Sequence, residues 1–328
     1  AKVINKAIGA AGSMNPIPYL AGMGVTMVGP TMLEYGSEEQ KARHLPGMAS
    51  GEVRWCLGLS EPNAGSDLAS LATSAELDGN EWLLNGQKTW TSGADKSQWC
   101  GALVRTDRSV AKRDGISFIM LEMDQSGIET RPIRLIAGES PFCETFFTNA
   151  RAREDDLLGE LNSGWTVIKR LLQHERQSQT NAPVTSTSEE PLYDIAKQYL
   201  GADQQGQLQD ADLRSRLADH LMDSAAHELT IARIITDARG GNVEVSATAS
   251  ILKNSATDVA QGRSELLLEI MGNQGLGWES GEYTTKDVAA VREWLGGKAM
   301  SIYGGSYEIQ KNIIAKNILG LPETTQKG

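Results

Sequence analysis

The chain has 328 residues, of which 40% are hydrophobic, and this length and composition indicate a folded protein of about two or three domains. Its 42 Asp and Glu outnumber 31 Lys and Arg, giving a net charge of −11, which argues against nucleic acid or an anionic membrane as partner. No apolar run reaches the roughly 18 residues of a membrane-spanning helix. The three cysteines, Cys56, Cys100 and Cys143, are too dispersed for a disulfide framework or a cysteine-rich zinc site and indicate a reducing compartment.

Residues 1–52 show a helical pattern interrupted by Pro and Gly. The segment SEEQKARHLPGM begins with Ser37, a predicted helix cap, and continues with an acidic first turn. The opening AKVINKAIGA lacks the charged start and apolar core of a signal peptide, and it begins at Ala1 within a helical pattern. We therefore expect a partial N-terminal helical domain whose first part is absent.

The periodicity changes over residues 53–157. Short runs rich in aromatic and branched residues, such as RWCLGLSE, QWCGALVRTD, GISFIMLEMD and CETFFTNARA, are separated by Asp-Gly and Asn-Gly pairs typical of turns. This pattern predicts a central antiparallel β-domain.

Long stretches with helical spacing follow Gly164, including DLRSRLADHLMDSAAHELTIARIITDARG, and they predict a C-terminal helical bundle over residues 158–328. NAPVTSTSEEP and GADQQGQLQDA are polar and predict surface loops. The order helix, sheet, helix predicts an α+β fold. The four histidines show no metal-ligand spacing, so we expect no metal site.

The first segment with chemical potential is LSEPNAGSD, Leu59 to Asp67, in which a strand is followed by a turn containing Gly65 and Ser66. Small residues let a ligand approach the backbone closely and leave N–H groups open to an anion. An ordinary surface turn has the same composition, so the local pattern leaves both interpretations open.

The second segment is NGQKTWTSG, Asn85 to Gly93. Its Asn-Gly pair predicts a hairpin turn, and the alternation of the next strand predicts that Trp90 and Ser92 share a face. An aromatic plate beside a hydroxyl suits a flat heterocycle. The alternative is a core tryptophan with a nearby surface serine.

The third segment is SIYGGSYEIQ, Ser301 to Gln310, in which two glycines precede Ser306, a predicted N-cap. Free N–H groups and the positive end of the helix dipole there suit a bound polar group, while a routine helix start is the alternative. GNQGLG, Gly272 to Gly277, follows no predicted strand and therefore does not indicate a dinucleotide-binding fold.

Taken together and in this order, LSEPNAGSD, NGQKTWTSG and IYGGSYEIQKNIIAKNILGLP resemble the acyl-CoA dehydrogenase family over nearly the whole chain. The resemblance implies a helical domain, a β-domain and a C-terminal four-helix domain. It implies FAD as cofactor, an acyl-CoA thioester as substrate, and an electron-transferring flavoprotein as electron acceptor. It also implies a tetramer, homomeric or mixed.

Matched motif by motif, the resemblance implies that FAD is bound by these residues: Leu59, Ser60, Gly65, Ser66, Trp90, Ser92, Glu269, Gly272, Asn273, Ser306 and Glu308. Trp90 is implied to flank the isoalloxazine ring and Ser92 to bond near the hydride-accepting N5. The substrate-facing positions are Arg176, Tyr303 and Gly304.

The best-known family members carry their catalytic glutamate where this chain has Gly304. Another branch, which includes isovaleryl- and long-chain-type enzymes, supplies it from an earlier helix, directly before an Arg, and Glu175 precedes Arg176 here. Helical spacing places Glu175 between Leu171 and Ile168 on an apolar arc, where burial should raise its pKa. We therefore expect Glu175 to be the base that takes the α-proton, with the backbone N–H of Gly304 holding the thioester carbonyl. Simple ion pairing of Glu175 is the alternative.

Two other readings of the whole chain stay open. The segment LGADQQGQLQDADLR lacks the aromatic residue that many members direct toward the adenosine of FAD, which favours a mixed oligomer. The chain could then be a structural subunit without its own chemistry. A related flavin oxidase or C–S-cleaving enzyme is the other alternative. We expect a bacterial cytoplasmic enzyme, or one of the mitochondrial matrix in a eukaryote.

Overall fold

The computed structural model describes residues 22–181, 190–239, 245–279 and 281–322, with side chains for all of these except 176–181, 237–239 and 245–247. The described residues up to Arg134, together with Glu139–Gln179, form one compact unit, called here the sheet unit. Leu135–Gly138 and the described residues from Thr180 onward form the second, called here the helical unit. The predicted helical start of the chain and most of the predicted loop over 181–191 lie outside the described residues.

The sheet unit begins with helices. A π-helical turn, Gly24–Val28, runs into α1, Gly29–Tyr35, and α2 follows at Glu38–Ser50. Ser37 caps α2 as predicted, because its hydroxyl accepts the Gln40 N–H while the Gln40 side chain accepts the Ser37 N–H. Gly51, with φ of +76°, ends the helix in the left-handed conformation.

One seven-stranded sheet fills the centre of this unit. Its strands are β1 (Trp55–Gly58), β2 (Ser74–Asp78), β3 (Glu81–Ser92), β4 (Trp99–Arg105), β5 (Ile116–Glu122), β6 (Ile128–Ile133) and β7 (Phe142–Arg153). They are ordered β1-β4-β2-β3-β7-β6, with β5 also paired to β4. Antiparallel pairing predominates, as predicted, but β4 runs parallel to both β1 and β2, so the sheet is mixed.

The prediction of a hairpin turn at Asn85–Gly86 is wrong. β3 continues through both residues, and the turn into it is made at Gly79, which has φ of +65° between the paired Asp78 and Glu81. Gly86 lies at a register shift with φ of +150°, and a Cβ there would stand 2.5 Å from the hydroxyl oxygen of Thr73. Gly86 is therefore needed for a close approach to a residue distant in sequence, not for a turn.

Helix α3, Gly164–Asn181, completes the sheet unit. One core joins the helices to β1 and β5 through residues that include Met32, Met48, Trp55, Phe118, Ile168 and Leu171. A second core lies within the sheet and includes Cys100, Val104, Ile119, Leu121 and Phe147. All three cysteines are buried and free.

A buried histidine makes the stability of the sheet unit dependent on pH. The ring of His44, on α2, lies edge-on against the stacked pair Trp55 and Trp99, at 5.2 and 4.4 Å between ring centroids. Burial, with a smaller contribution from the charge of Arg43, lowers the pKa of His44 from 6.5 to about 4. The folded state therefore disfavours a proton that the unfolded chain accepts below pH 6.5.

We expect this histidine to remove about 2 kcal/mol of unfolding free energy between pH 7 and pH 5, because stability is lost as pH falls through the unfolded-state pKa. His44→Phe, which keeps an aromatic ring against the two tryptophans, should flatten this part of the pH profile. Denaturant unfolding followed by tryptophan fluorescence at both pH values measures the difference. An equal loss of unfolding free energy in wild type and His44→Phe would show that His44 is not the source of the pH dependence.

The helical unit contains α4 (Leu192–Leu200), α5 (Ala211–Arg239), α6 (Val245–Met271), α7 (Thr285–Gly297) and α8 (Tyr307–Asn317), with 3₁₀ turns at Gly272–Leu276 and Lys298–Ser301. Its core is built from residues at helical spacing, including Leu192, Ile195, Leu213, Leu217, Leu266 and Ile270. The helical periodicity and the α+β class predicted from the sequence are confirmed. Across the described ranges, no helix has both the length and the apolar character needed to cross a membrane.

Candidate functional site

The segment after β1 exposes backbone at a tight turn. Glu61 and Ala64 exchange backbone hydrogen bonds of 3.1 and 3.0 Å, so the chain reverses over the two residues between them. Leu59 and Ser60 are half-buried before this turn, and Gly65 is exposed after it. A Cβ on Gly65 would meet no atom within 4 Å, so a ligand can approach the backbone there. Ser66, the other small residue predicted at this site, is also exposed.

Trp90 is an exposed, strained residue rather than a core tryptophan. Its side chain is 54% exposed and its φ is +60°, a conformation that costs a residue other than glycine about 1 to 3 kcal/mol. A register shift between Lys88 and Thr91 produces this conformation, leaving Thr91 buried and Ser92 half-buried. The Trp90 ring makes an edge contact with Phe142, at 6.0 Å between centroids. A large apolar ring held in the open by a strained backbone is typical of a binding surface.

The two segments are joined through their backbones and through a buried ion pair. The N–H of Thr89 donates to the carbonyl of Ser60 at 2.9 Å, which places Ser60 beside the strand that carries Trp90. Lys88, with no exposed surface, donates to Glu61 at 2.8 Å and to the carbonyls of Leu59 and Leu103 at 3.1 and 2.7 Å. All three protons of the ammonium therefore have acceptors.

Glu61 is equally well bonded. Its carboxylate also accepts the N–H groups of Ala72 and Thr73, at 2.7 and 2.9 Å. Burial alone would raise the pKa of Glu61, but the ammonium of Lys88 and these donors outweigh it, so the pKa is lowered. Burial lowers the pKa of Lys88 against the opposing charge of Glu61. The sequence analysis did not identify this pair. The available signal was the alternation of β3, because Lys88 lies at an even-numbered position like the buried Trp82 and Leu84.

Glu175 lies on the buried face of α3. Val167, Ile168 and Leu171 are almost fully buried, as the predicted apolar arc requires, and Glu175 is half-buried one turn beyond Leu171. A partly buried carboxylate at the end of an apolar face is a candidate for proton transfer. The neighbouring Arg176 lies in α3, and its side chain is outside the described residues.

Two polar residues of α3 are bound to α1. One edge of the Arg170 guanidinium, Nε and Nη2, donates to the carboxylate of Glu34 at 2.6 and 2.7 Å, and a ring nitrogen of His174 lies 3.1 Å from the same carboxylate. The hydrogen bond from Arg170 is the main cause that lowers the pKa of Glu34. The side chain of His174 is only 13% exposed in this contact, which helps to fix the rotation of α3 about its axis.

The helical unit carries the remaining predicted site residues. Glu269, near the end of α6, is exposed and bound by Arg216 of α5 through two hydrogen bonds, one of 2.7 Å. Gly272 and Asn273 follow in an exposed 3₁₀ turn, where Gly272 has φ of +55° and a Cβ would meet no atom within 4 Å. Any ligand of Glu269 would therefore compete with Arg216 for the Glu269 carboxylate.

The glycine loop, defined as Ile302–Ser306, links a 3₁₀ turn to α8. Gly304 has φ of +64°, and a Cβ on it would meet no atom within 4 Å. The side chain of Ser306 accepts the N–H of Ile309, so Ser306 caps α8 as predicted. Glu308 is exposed in the first turn, where a hydrogen bond from its own backbone N–H is the largest cause that lowers its pKa. Tyr303 is 51% exposed.

The sheet-unit residues suit a flat cofactor with several hydrogen-bonding groups, since they combine the exposed Trp90 ring, the Ser92 hydroxyl and the open backbone at Gly65. Among the residues that the structure describes, no three His, Cys, Asp or Glu side chains are grouped as metal ligands.

If the Trp90 ring stacks against such a cofactor, Trp90→Ala should weaken cofactor binding about 3- to 10-fold, which corresponds to about 1 kcal/mol of aromatic contact. Thermal stability of the cofactor-free protein should change little, because the ring is largely exposed. Fluorescence titration of the cofactor-free protein with FAD measures the dissociation constant. Leu77→Ala, which truncates a residue 46% exposed on β2, is the control and should leave it unchanged. Identical affinities for Trp90→Ala and wild type would remove the ring from the site.

Comparison with known proteins places the chain among acyl-CoA dehydrogenases. Models of the N-terminal, middle and C-terminal domains of acyl-CoA dehydrogenases match residues 3–52, 56–150 and 162–319. "Acyl-CoA dehydrogenase IpdE1" of Mycobacterium tuberculosis is 36% identical over 301 residues, covering 91% of this chain and 75% of the relative.

Solved structures give the same result. The "Tcur3481-Tcur3483 steroid ACAD" is similar with a TM-score of 0.82 and 28% identity, over 93% of this chain and 77% of that one. The "ChsE4-ChsE5 complex from Mycobacterium tuberculosis" is similar with a TM-score of 0.78 and 27% identity, over 98% and 81% of the two chains.

Proposed function

The chain belongs to the acyl-CoA dehydrogenase family, and from that premise we propose that it is an FAD-dependent enzyme that introduces an α,β double bond into an acyl-CoA thioester. Family membership itself implies a flavin cofactor and a CoA thioester substrate. The observation that supports the reaction most is Glu175, a half-buried acid that continues the buried face of α3 in a chain with glycine at position 304.

In this proposal FAD is held by Leu59, Ser60, Gly65 and Ser66 and by Trp90 and Ser92 of the sheet unit. By the family resemblance, Gly272 and Asn273 match positions that contact FAD from a neighbouring subunit. Glu269, Ser306 and Glu308 match further positions near the cofactor. When bound, the flavin supplies the acceptor for the hydride that leaves the β carbon. The strained conformation of Trp90 supports its role, because such strain persists where function requires it.

Glu175 acts as the general base in this proposal and takes the proton from the α carbon. Partial burial favours that role, since a carboxylate with less water around it is a stronger base. The Gly304 N–H donates to the thioester carbonyl and so stabilises the negative charge that develops on its oxygen. Arg176 and Tyr303 contact the substrate. Glycine at 304 keeps the backbone donor while the base is supplied from α3.

We further propose the finer organisation expected from the sequence. Residues 1–52, 53–157 and 158–328 are the helical, sheet and bundle domains, and electrons pass to an electron-transferring flavoprotein. The protein assembles as a homomeric or mixed tetramer. Helix α5 exposes three apolar side chains, Leu221, Met222 and Leu229, which are between 57% and 71% exposed. They support an oligomer, because an exposed apolar face of this kind usually contacts a partner chain.

Anaerobic titration of the purified, flavin-loaded protein with a panel of acyl-CoA thioesters tests the function. Straight, branched and steroid-type acyl groups belong in the panel, the last because two similar structures are named as steroid enzymes. We expect one class to bleach the visible flavin absorbance. Failure of the pure chain to retain yellow cofactor would favour the structural-subunit alternative, and oxygen consumption during turnover would favour an oxidase.

A further inference from the structure

A buried glutamine side chain binds the glycine loop. Gln310, on α8, is only 2% exposed, and its side-chain amide donates to the carbonyl of Gly304 at 2.7 Å. Gln310 lies one turn beyond the cap Ser306, and side chains on a helix lean toward its N-terminus, so this amide reaches back over the loop.

The loop is shaped to receive that amide. Gly305 has φ of +88°, and a Cβ on it would stand 2.6 Å from the side-chain nitrogen of Gln310. Two features therefore require glycine at position 305: the left-handed backbone conformation and the close approach of the Gln310 amide. The side-chain oxygen of Gln310 is buried and, within the described part of the chain, has no hydrogen-bond partner, so the amide group bonds to the loop alone.

The residues on either side of the loop are bound to α6. Gln261 donates to the carbonyl of Gly297, at the end of α7, at 2.9 Å. The hydroxyl of Tyr307, the first residue of α8, donates to Asp258. Because Asp258 and Gln261 are neighbours on one turn of α6, both flanks of the loop are fixed to the same support. The peptide between the two glycines is held by Gln310.

We propose that Gln310 is a positioning residue for the reaction: by binding the Gly304 carbonyl it fixes the glycine loop, and with it the direction of the N–H that receives the thioester oxygen. The Gly304 carbonyl lies in the Gly304–Gly305 peptide plane, whereas the Gly304 N–H lies in the preceding Tyr303–Gly304 plane, and only the two backbone torsions of Gly304 separate the planes. Fixing the carbonyl restricts these torsions. Without the bond to Gln310 both glycines are free to rotate, and the Gly304 N–H loses its direction. This inference rests on the proposed function, in which that N–H is the carbonyl donor.

Gln310→Met removes the hydrogen bond while keeping a side chain of similar length. We expect the rate constant of flavin reduction to fall about 10- to 100-fold, as a misplaced donor would produce, with a smaller change in the dissociation constant of the acyl-CoA. Gly305→Ala should act in the same direction, because its methyl group displaces the amide of Gln310. It serves as the second variant should Gln310→Met fold poorly.

A spectroscopic measurement separates this role from a merely structural one. Infrared difference spectroscopy of acyl-CoA labelled with ¹³C at the thioester carbonyl reports how strongly the bound carbonyl is polarised. We expect a lowered stretching frequency with wild-type holoenzyme and a return toward the free value with Gln310→Met. Gln261→Met is the matched control, since it also loses an amide-to-carbonyl bond, to Gly297 before the loop, while the bond from Gln310 to Gly304 remains, and it should keep the lowered frequency.

The outcomes distinguish the two levels of the proposal. If the frequency is lowered in wild type and stays lowered in Gln310→Met, the role of Gln310 is overturned and the donor role of Gly304 is not affected. An unshifted carbonyl in wild type overturns the donor assigned to Gly304, and with it the role of Gln310. Amide hydrogen exchange of the loop, measured on holoenzyme without substrate, should be faster in Gln310→Met than in either wild type or Gln261→Met, and unchanged protection would also overturn the role of Gln310.

Discussion

Glu175→Gln is expected to reduce the rate of anaerobic flavin reduction by acyl-CoA roughly 10³-fold while leaving the flavin bound. Glutamine keeps the shape of the side chain and can still hydrogen-bond, but it cannot accept the α-proton. Because the sequence offers no carboxylate at position 304, the mechanism has no second base in that loop. Stopped-flow measurement of the visible flavin absorbance determines the rate constant.

Two controls make this result specific to Glu175. Glu160→Gln makes the same chemical change at an exposed position shortly before α3, and it should leave the rate unchanged. The flavin content of Glu175→Gln should match wild type, because the proposed flavin contacts lie at other residues. A Glu175→Gln protein that bleaches at the wild-type rate would exclude Glu175 from proton removal.

The second large effect is expected at the ion pair beneath the flavin-binding segments. Lys88→Met should cost about 3 to 5 kcal/mol of unfolding free energy, because it leaves the buried carboxylate of Glu61 without its counter-charge. The carbonyls of Leu59 and Leu103 lose a donor in the same step. In a unit of this size, such a loss should lower the midpoint of thermal unfolding by roughly 10 °C.

Scanning calorimetry of the cofactor-free protein measures this shift. Lys112→Met is the matched control, because Lys112 is 67% exposed and its contact with Asp67 spans 3.4 Å, so its loss should cost under about 1 kcal/mol. Adding Glu61→Gln to Lys88→Met should recover part of the lost stability by removing the unpaired charge. Equal midpoints for Lys88→Met and Lys112→Met would contradict the stabilising role of the pair.

The pair also links stability to function. Lys88 belongs to one recognised segment and Glu61 to the other, and the ammonium additionally binds the carbonyl of Leu59, a proposed flavin contact. We therefore expect Lys88→Met to retain less flavin than Lys112→Met after gel filtration. The ion pair is thus a support for the binding surface as well as for the core.

Local pattern was sufficient to predict features that depend on neighbours in sequence. The Ser37 and Ser306 caps, the apolar arc of α3 and the change from strand to helix after Gly164 are each determined within one or two turns of chain. The half-buried position of Glu175 follows from the same periodicity, because Leu171 and Ile168 fix the face on which it lies.

Features that depend on distant contacts were not predictable in this way. Asn85–Gly86 has the composition of a turn, but Thr73 occupies the space beside Gly86 and β3 continues through it. The strain at Trp90 arises from a register shift against β7, and the burial of Lys88 depends on Glu61, 27 residues away. No local periodicity encodes such pairings.

Proton exchange at the α carbon tests the central claim, that Glu175 is the base, most directly. tert-Butylacetyl-CoA carries hydrogens on its α carbon and none on its β carbon, so it separates proton removal from hydride transfer. In deuterium oxide, the flavin-loaded wild-type protein should exchange these α-hydrogens, as followed by mass spectrometry, and Glu175→Gln should not exceed the rate without enzyme. Exchange by Glu175→Gln at the wild-type rate would show that another group removes the proton.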